Sequence, residues 1–389
     1  MPSSSERLRV LLTISDLRGG GAEREFSLLV KHLARQRFAP ELCFWRSEFA
    51  WERPPDLPVH MLEKTRPWHL PRVVRAMAQL VDELRPDLVF SQLHYVNLVT
   101  GTALATTRHR PAWVCRQVND PRREMRGPFA IWARHALRRA DRAVGCCDAV
   151  SRAMTRHLRL DPGRVGTLRN MVDLVSVEER SREPLPVQCD PSVFTVVHAG
   201  RLHPQKNQAL LLEAFSRQPA PAELWMLGQG PLEEKLRAQA SRLGIAERVR
   251  WLGFRSNPYP FFRAADCFAL SSDHEGLPNT LIEAMACGTP AVSTRCPFGP
   301  DELIEDGVSG LLTPVRDVDA FAAALRELCE NRERAAALGR AARTRTLRDF
   351  DTAAVCASYE DLFETVVEER RRLEDGRSTL EFPVRHKSR

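Results

Sequence analysis

Cys267-Phe268-Ala269-Leu270-Ser271-Ser272, then Asp273-His274, then Glu275-Gly276-Leu277-Pro278-Asn279-Thr280-Leu281-Ile282-Glu283, is the stretch that decides the fold. The apolar run reads as a parallel strand buried on both faces. Glycine and proline then punctuate a loop, and the small-residue run Ala284-Met285-Ala286-Cys287 reads as a helix ended by Gly288. One carboxylate, Glu275, therefore sits on a strand-to-helix loop. A second, Glu283, lies within the helix, and the helix-start amides fall between them. Free N–H groups and the helix dipole favour an anion there. Carboxylates for hydroxyls beside amides for phosphate is the set of contacts a nucleotide-sugar requires.

The same strand-then-helix rhythm runs outward from this stretch in both directions. After it come strands at Ala291–Thr294 and Gly310–Thr313 and helices over 317–330 and 333–346. Before it, strand Phe194–Gly200 is followed by helix Asn207–Arg217, strand Glu223–Gly228, helix Leu232–Leu243 and strand Val249–Gly253. The first half alternates likewise, from a strand at Leu8–Ile14 to one at Arg164–Arg169. Strands spaced by single helices predict an α/β protein with parallel sheets, arranged as two Rossmann-like domains facing a cleft. The expected boundaries are 1–175 for the first domain, 176–192 for a polar linker and 193–348 for the second domain. A helical segment over 349–371 and a loose tail over 372–389 follow.

Length and composition fit two soluble enzyme domains: 389 residues, 43% hydrophobic and 28% charged. No apolar run approaches the roughly 20 residues that span a bilayer, and the polar start Met1–Arg9 does not read as a signal peptide. The ten cysteines are scattered without a Cys-x-x-Cys pair and read as reduced thiols of a cytoplasmic protein. Charge is uneven. Residues 1–190 carry 31 Lys+Arg against 22 Asp+Glu, and the remainder 26 against 28. That basic first half is either a solvated face or a surface for anionic lipid or a phosphate-bearing acceptor. Nucleic acid is not expected, since no basic stretch is interleaved with aromatics as a binding module.

At the end of the strand His198-Ala199-Gly200, Arg201 supplies a bidentate fork and Lys206 a point charge, the two usual holders of a diphosphate. Cations ahead of a helix oppose its dipole and so need a reason. Phe254, after Trp251-Leu252-Gly253, either covers a base or packs into the core. Asp317-Val318-Asp319 has the look of a metal motif, but it follows Pro314 at a helix start, where acids serve as caps. No metal and no cofactor are expected. A nicotinamide dehydrogenase is unsupported, because the first strand turn lacks Gly-x-Gly-x-x-Gly with its distant acid.

These motifs together resemble glycosyltransferase family 4, a GT-B, retaining and metal-independent family. The resemblance is carried by Ala199 to Leu202 with Lys206-Asn207, by Leu227-Gly228-Gln229-Gly230-Pro231-Leu232, by Glu275 through Val292, and by Asp306-Gly307-Val308-Ser309-Gly310-Leu311-Leu312, spanning about 190–345. It implies that Arg201 and Lys206 hold the diphosphate and that Glu283 binds ribose hydroxyls. Glu275 is placed against the transferred sugar, with Gly200, Gly276, Leu277, Asn279 and Thr280 lining the donor. Gly19-Gly20-Gly21 resembles the family's first glycine loop, so Gly20 and Gly21 would close on the donor phosphate.

Many members carry a histidine at the end of the strand Val114-Cys115-Arg116-Gln117-Val118-Asn119-Asp120, and this chain has none there. That leaves Arg116, Asn119 and His94, one strand earlier, as acceptor-side candidates; a buried, satisfied histidine is the other reading of His94. The resemblance implies a UDP-linked donor and a glycan or lipid-linked acceptor at the inner face of the cell membrane. Cys296-Pro297-Phe298-Gly299-Pro300 resembles a branch with N-acetylhexosamine transferases. A nucleotide-sugar epimerase, which needs no acceptor, and a non-catalytic nucleotide-sugar-binding subunit are the alternatives.

Overall fold

The computed structural model describes residues 7–18, 20–47, 55–63 and 69–375. The chain divides into two compact units, residues 1–169 with 353–389, and residues 170–352.

In the first unit the strands are β1 (Leu8–Ile14), β2 (Phe38–Phe44), β3 (Val59–Met61), β4 (Leu88–Gln92), β5 (Ala112–Gln117), β6 (Arg142–Gly145) and β7 (Val165–Thr167). They form one sheet in the order β3-β2-β1-β4-β5-β6-β7, parallel throughout. Strands β4 and β5 are buried at every residue. Helices cover both faces of a parallel sheet, so these strands read as unbroken runs rather than alternating ones.

The helix Thr352–Glu374 belongs to this unit from Ala353 onward. It buries Tyr359, Phe363, Val366 and Val367, and the Phe363 ring lies 5.4 Å from that of Phe90 on β4. Arg37 donates to Glu360 at 2.9 Å, and Arg142 to Glu369 at 2.6 Å. Of the tail expected over 372–389, residues 376–389 lie outside the described residues, as does Gly19.

In the second unit β8 (Phe194–Ala199), β9 (Ala222–Leu227), β10 (Val249–Gly253), β11 (Cys267–Leu270), β12 (Ala291–Thr294) and β13 (Leu311–Thr313) form a parallel sheet. Its order is β10-β9-β8-β11-β12-β13. Phe194, Leu211, Phe215, Leu224, Phe321 and Leu325 anchor its core. In both sheets the chain starts in the middle, winds outward one way and then returns to wind the other. That reversal opens a crevice at the carboxyl ends of the two central strands, β1 and β4 in one unit, β8 and β11 in the other.

Several elements depart from the expectation. The edge strand β3 has three residues, too few to show a period. Helix His94–Leu104 buries eight of its eleven residues, so it has no polar face to reveal a 3.6-residue repeat. Helix Pro128–Leu137 was not foreseen either. Running into the expected linker, Leu174–Arg180 is a helix capped by Asp173, whose side chain accepts from Ser176 N at 2.9 Å.

The boundary shifts with that helix. The chain changes unit at Asn170, not after 175, and 176–192 belongs to the second unit. Side chains explain this: Arg343 donates to Glu178 at 2.7 Å, binding the segment to the helix Arg332–Asp349. All ten cysteines are free thiols, seven of them buried.

Candidate active site

The crevice of the second unit is built from the carboxyl ends of β8 and β11. Beyond β8 the backbone continues as Gly200-Arg201-Leu202 and pairs with the segment after β9, Gly200 N to Leu227 O at 2.9 Å and Leu202 N to Gln229 O at 3.0 Å. Gly228 sits at φ +138°, and a Cβ there would fall 1.9 Å from Gly200 O. Only glycine permits that approach. A 3-10 turn, Pro204–Lys206, then leads to Asn207 in the left-handed region (φ +45°), which caps helix Gln208–Ser216.

Lys206 meets Glu275 across this crevice, Nζ to Oε1 at 2.6 Å. Glu275 is 5% exposed. Ser272 Oγ donates to the same carboxylate oxygen. The lysine stem packs against Gly200, where an added Cβ would lie 3.4 Å from Lys206 Cε. The cation that opposed the dipole of its own helix thus has its reason: a carboxylate delivered by the loop after β11. Gly299, at φ +90°, seats that loop, since a Cβ there would lie 2.1 Å from Gly276 O.

Helix Asn279–Ala286 follows, with Asn279 and Thr280 half-buried at its start and Glu283 buried. The nearby Cys287 thiol is pushed up to about 12, by burial first and by the Glu283 charge second. Arg201 is exposed, and its guanidinium has no hydrogen-bond or ion-pair partner among the described residues. Phe254 is 55% exposed, whereas Trp251 packs against the core. Of the two readings of that strand end, core packing therefore falls to Trp251 and not to Phe254.

Three supporting side chains were not singled out by the sequence. His198 is fully buried on β8. Its Nδ1 lies 2.9 Å from Ala269 O and must donate to it, which leaves Nε2 to accept from Gln208 Nε2 at 3.1 Å. Burial, and secondarily the Lys206 charge, push its pKa down to about 4, so the ring is neutral. Gln208 also donates to Arg201 O at 2.9 Å and so fixes the phosphate-side loop. Asn170 donates from Nδ2 to Leu277 O at 3.0 Å and to Asn279 Oδ1 at 2.5 Å, pinning the loop between the two glutamates. A lone histidine inside the run Phe194–Ala199 was the available signal for His198, and Asn170 lies in Arg169-Asn170-Met171-Val172-Asp173, which resembles one of the family's strand ends.

The acidic pair at 317 and 319 is structural. Asp317 accepts from Ala320 N at 2.9 Å as a helix cap, and Asp319 pairs with Arg217. Among the described residues no group of His, Cys, Asp and Glu is arranged to hold a metal ion.

In the first unit, Gly20 and Gly21 are exposed at the start of helix Gly21–His32. His94 is half-buried with Nδ1 3.2 Å from Glu124 Oε2, and Asn119 donates to Glu124 Oε1 at 2.9 Å. Two of the three expected acceptor-side residues therefore gather on one carboxylate. Arg116 is a correction. It is fully buried, donating to Glu25 Oε2 at 2.7 Å and to Leu168 O at 3.2 Å. Tyr359 Oη donates to Glu25 Oε1 at 2.7 Å and closes the pair off. A guanidinium so enclosed is not available to an acceptor.

Comparison with known proteins bears on both units. The family model described as Glycosyltransferase Family 4 matches residues 19–176, and that described as Glycosyl transferases group 1 matches 180–345. The N-acetylgalactosamine-N,N'-diacetylbacillosaminyl-diphospho-undecaprenol 4-alpha-N-acetylgalactosaminyltransferase of Campylobacter jejuni is 27% identical over 352 residues. That span is 87% of this chain and 94% of the relative. The lipopolysaccharide core biosynthesis glycosyltransferase LpsE of Rhizobium meliloti is 33% identical over 207 residues, 53% of this chain and 58% of its own length. Among solved structures, Anabaena HepE in complex with UDP shares the fold at a TM-score of 0.78 and 21% identity, covering 92% of this chain and 100% of that one.

Proposed function

The chain belongs to the family 4 glycosyltransferases of GT-B fold, and from that premise we propose that it moves a sugar from a UDP-linked donor to a hydroxyl of a glycan or lipid-linked acceptor, retaining configuration at the anomeric carbon. The observation that carries this reading is the Lys206–Glu275 pair, 2.6 Å apart at the crevice of the second sheet. In a nucleotide-sugar the terminal phosphate and the sugar are bonded neighbours. A cation and a carboxylate in contact match that junction, the lysine addressing phosphate and the carboxylate the sugar hydroxyls.

Arg201, exposed beside Gly200, adds a fork for the diphosphate, and the amides at Asn279 and Thr280 face the same charge. Glu283 takes the ribose hydroxyls, and Phe254 lies against the base. As the C1–O bond to phosphate breaks, negative charge grows on the leaving diphosphate. Arg201 and Lys206 answer it in place, so no metal is needed. The acceptor oxygen bonds to C1 on the face the phosphate leaves, and its proton passes to a phosphate oxygen.

The acceptor class follows the names of the relatives, one acting on a diphospho-undecaprenol-linked glycan and another in lipopolysaccharide core assembly. HepE has been solved with UDP and with UDP-glucose. For this chain the Cys296–Pro300 segment, which seats the Glu275 loop, favours an N-acetylhexosamine. Its reaction belongs at the cytoplasmic face of a membrane.

The test is donor turnover by the Arg201→Ala, Lys206→Ala double variant with chelator present. The parent should be active and the variant should lose activity; full activity in the variant removes the phosphate assignment. Activity that requires divalent metal removes the metal-free mechanism. UDP release with isomerised sugar and no acceptor would instead favour the epimerase.

A further inference from the structure

Among the described residues of the second unit, three that are not glycine hold a left-handed backbone: Asn207 at φ +45°, Phe298 at φ +69° and Arg316 at φ +64°. An L side chain is strained there. All three adjoin the loop that carries Glu275. Phe298 precedes Gly299, whose backbone lies against Gly276 O. Asn207 and Arg316 both bond to one carboxylate, Asp273, in the same loop as Glu275.

Arg316 follows β13 and Asp273 follows β11, so the arginine reaches across β12. Its Nη2 and Nε donate to Asp273 Oδ2 at 2.7 and 3.1 Å, and Asn207 Nδ2 donates to Oδ1 at 2.9 Å. Burial opposes the charge on Asp273, yet the bonds from Arg316 and Asn207 hold its carboxyl below the ordinary range. Around it the Lys206 and Glu275 loops are tied together. Asp273 N donates to Gln205 O at 2.9 Å, Gln205 Nε2 to His274 O at 3.0 Å, and Ser271 Oγ to Lys206 O at 2.9 Å. The Arg316 side chain is 73% exposed. An ion pair so open to solvent adds little to folding, and here it hangs on a strained backbone. Fold stability therefore does not account for it.

We propose that Asp273 is a positioning residue of the donor site: clasped by Arg316 on one oxygen and Asn207 on the other, it keeps the two loops in the register that brings Lys206 to Glu275. In this role neither Asp273 nor Arg316 touches the donor. Asn207 is the neighbour of Lys206 in the chain, so the clasp acts on the lysine through one peptide bond, and Asp273 acts on Glu275 through the short loop they share. Small displacements of groups that address a reacting centre are costly to rate, which is the reason for a strained but exact tether. The inference rests on the reading of Lys206 and Glu275 as the donor's partners.

The test is Arg316→Gly in the full chain, beside Asp273→Asn and the double variant. Each is followed by melting temperature and by UDP release from UDP-N-acetylglucosamine and UDP-N-acetylgalactosamine. Glycine relieves the left-handed strain while removing the clasp. The melting temperature is expected to stay level or rise while kcat falls about ten- to a hundredfold, a split that a merely structural ion pair does not give. The double variant should be no slower than Asp273→Asn alone, because both changes break one clasp. Turnover by Arg316→Gly at the parent's rate overturns the proposal, as does a rate that falls only where the melting temperature falls. The rise in melting temperature on adding UDP is read in parallel. Its absence in the parent counts against the donor reading; its presence beside an unslowed Arg316→Gly counts against the clasp alone.

Discussion

Both units run their strands in the same order, yet they use paired charges differently near the carboxyl ends of those strands. In the second unit Lys206 and Glu275 meet at the crevice with the lysine side chain 17% exposed, and Arg201 stands in solvent beside them. In the first unit Arg116 and Glu25 are 0% exposed and are covered by Tyr359 from the returning helix. Topology supplies a crevice in each. What decides between a site and a structural lock is whether another element covers the charges.

The sharpest way to break this comparison is to remove one half of the lock. Arg116→Met leaves Glu25 buried and uncompensated, which should cost about 3–5 kcal/mol of stability. Denaturant unfolding measures it, and UDP binding at low temperature should survive. A variant with full stability but no turnover would make Arg116 part of the chemistry after all.

Glu275→Gln addresses the other side. With Lys206 still present and the fold retained, kcat should fall roughly a hundred- to thousandfold. A fall only in melting temperature would reduce the pair to a second lock.

The next effect depends on pH. His198 holds a pKa of about 4 in the folded chain against an ordinary 6.5. The unfolded chain therefore takes up this proton first as the medium acidifies. Its contribution is complete above about pH 6.5 and is lost between there and about pH 4, amounting to up to ~3 kcal/mol. Urea unfolding across that range should show the slope, and His198→Asn should flatten it. The smallest effect is expected from Asn170→Ala, which frees the Gly276–Asn279 loop. KM for the donor should rise about tenfold as the loop loosens, and the lost hydrogen bonds should lower folding stability by no more than ~1–2 kcal/mol. An unchanged KM would make Asn170 incidental.

Much of the fold was legible because parallel strands buried on both faces leave unbroken apolar runs, as in Leu8–Ile14 and Cys267–Leu270. Helix His94–Leu104 was not, because a helix buried all round has no periodic polar face. Helix Leu174–Arg180 was hidden by its charge, and its capping Asp173 was the overlooked signal. At the site, Lys206, Glu275 and Gly200 could be named from spacing and punctuation. Local sequence also marks Arg116 as a cation at a strand end, a description that fits Arg201 equally well.

The sequence by itself determined two parallel α/β units, the residues of the phosphate-and-sugar loops and the excess positive charge of the first half. Those features are local: apolar run length, turn residues and charge per segment. Only the tertiary structure decided that Lys206 faces Glu275 from 69 residues away, that Arg116 is sealed under Tyr359, and that Asn170 holds a loop more than a hundred positions on. Such pairings depend on which strands become neighbours and on what covers them, and no run of adjacent residues encodes that.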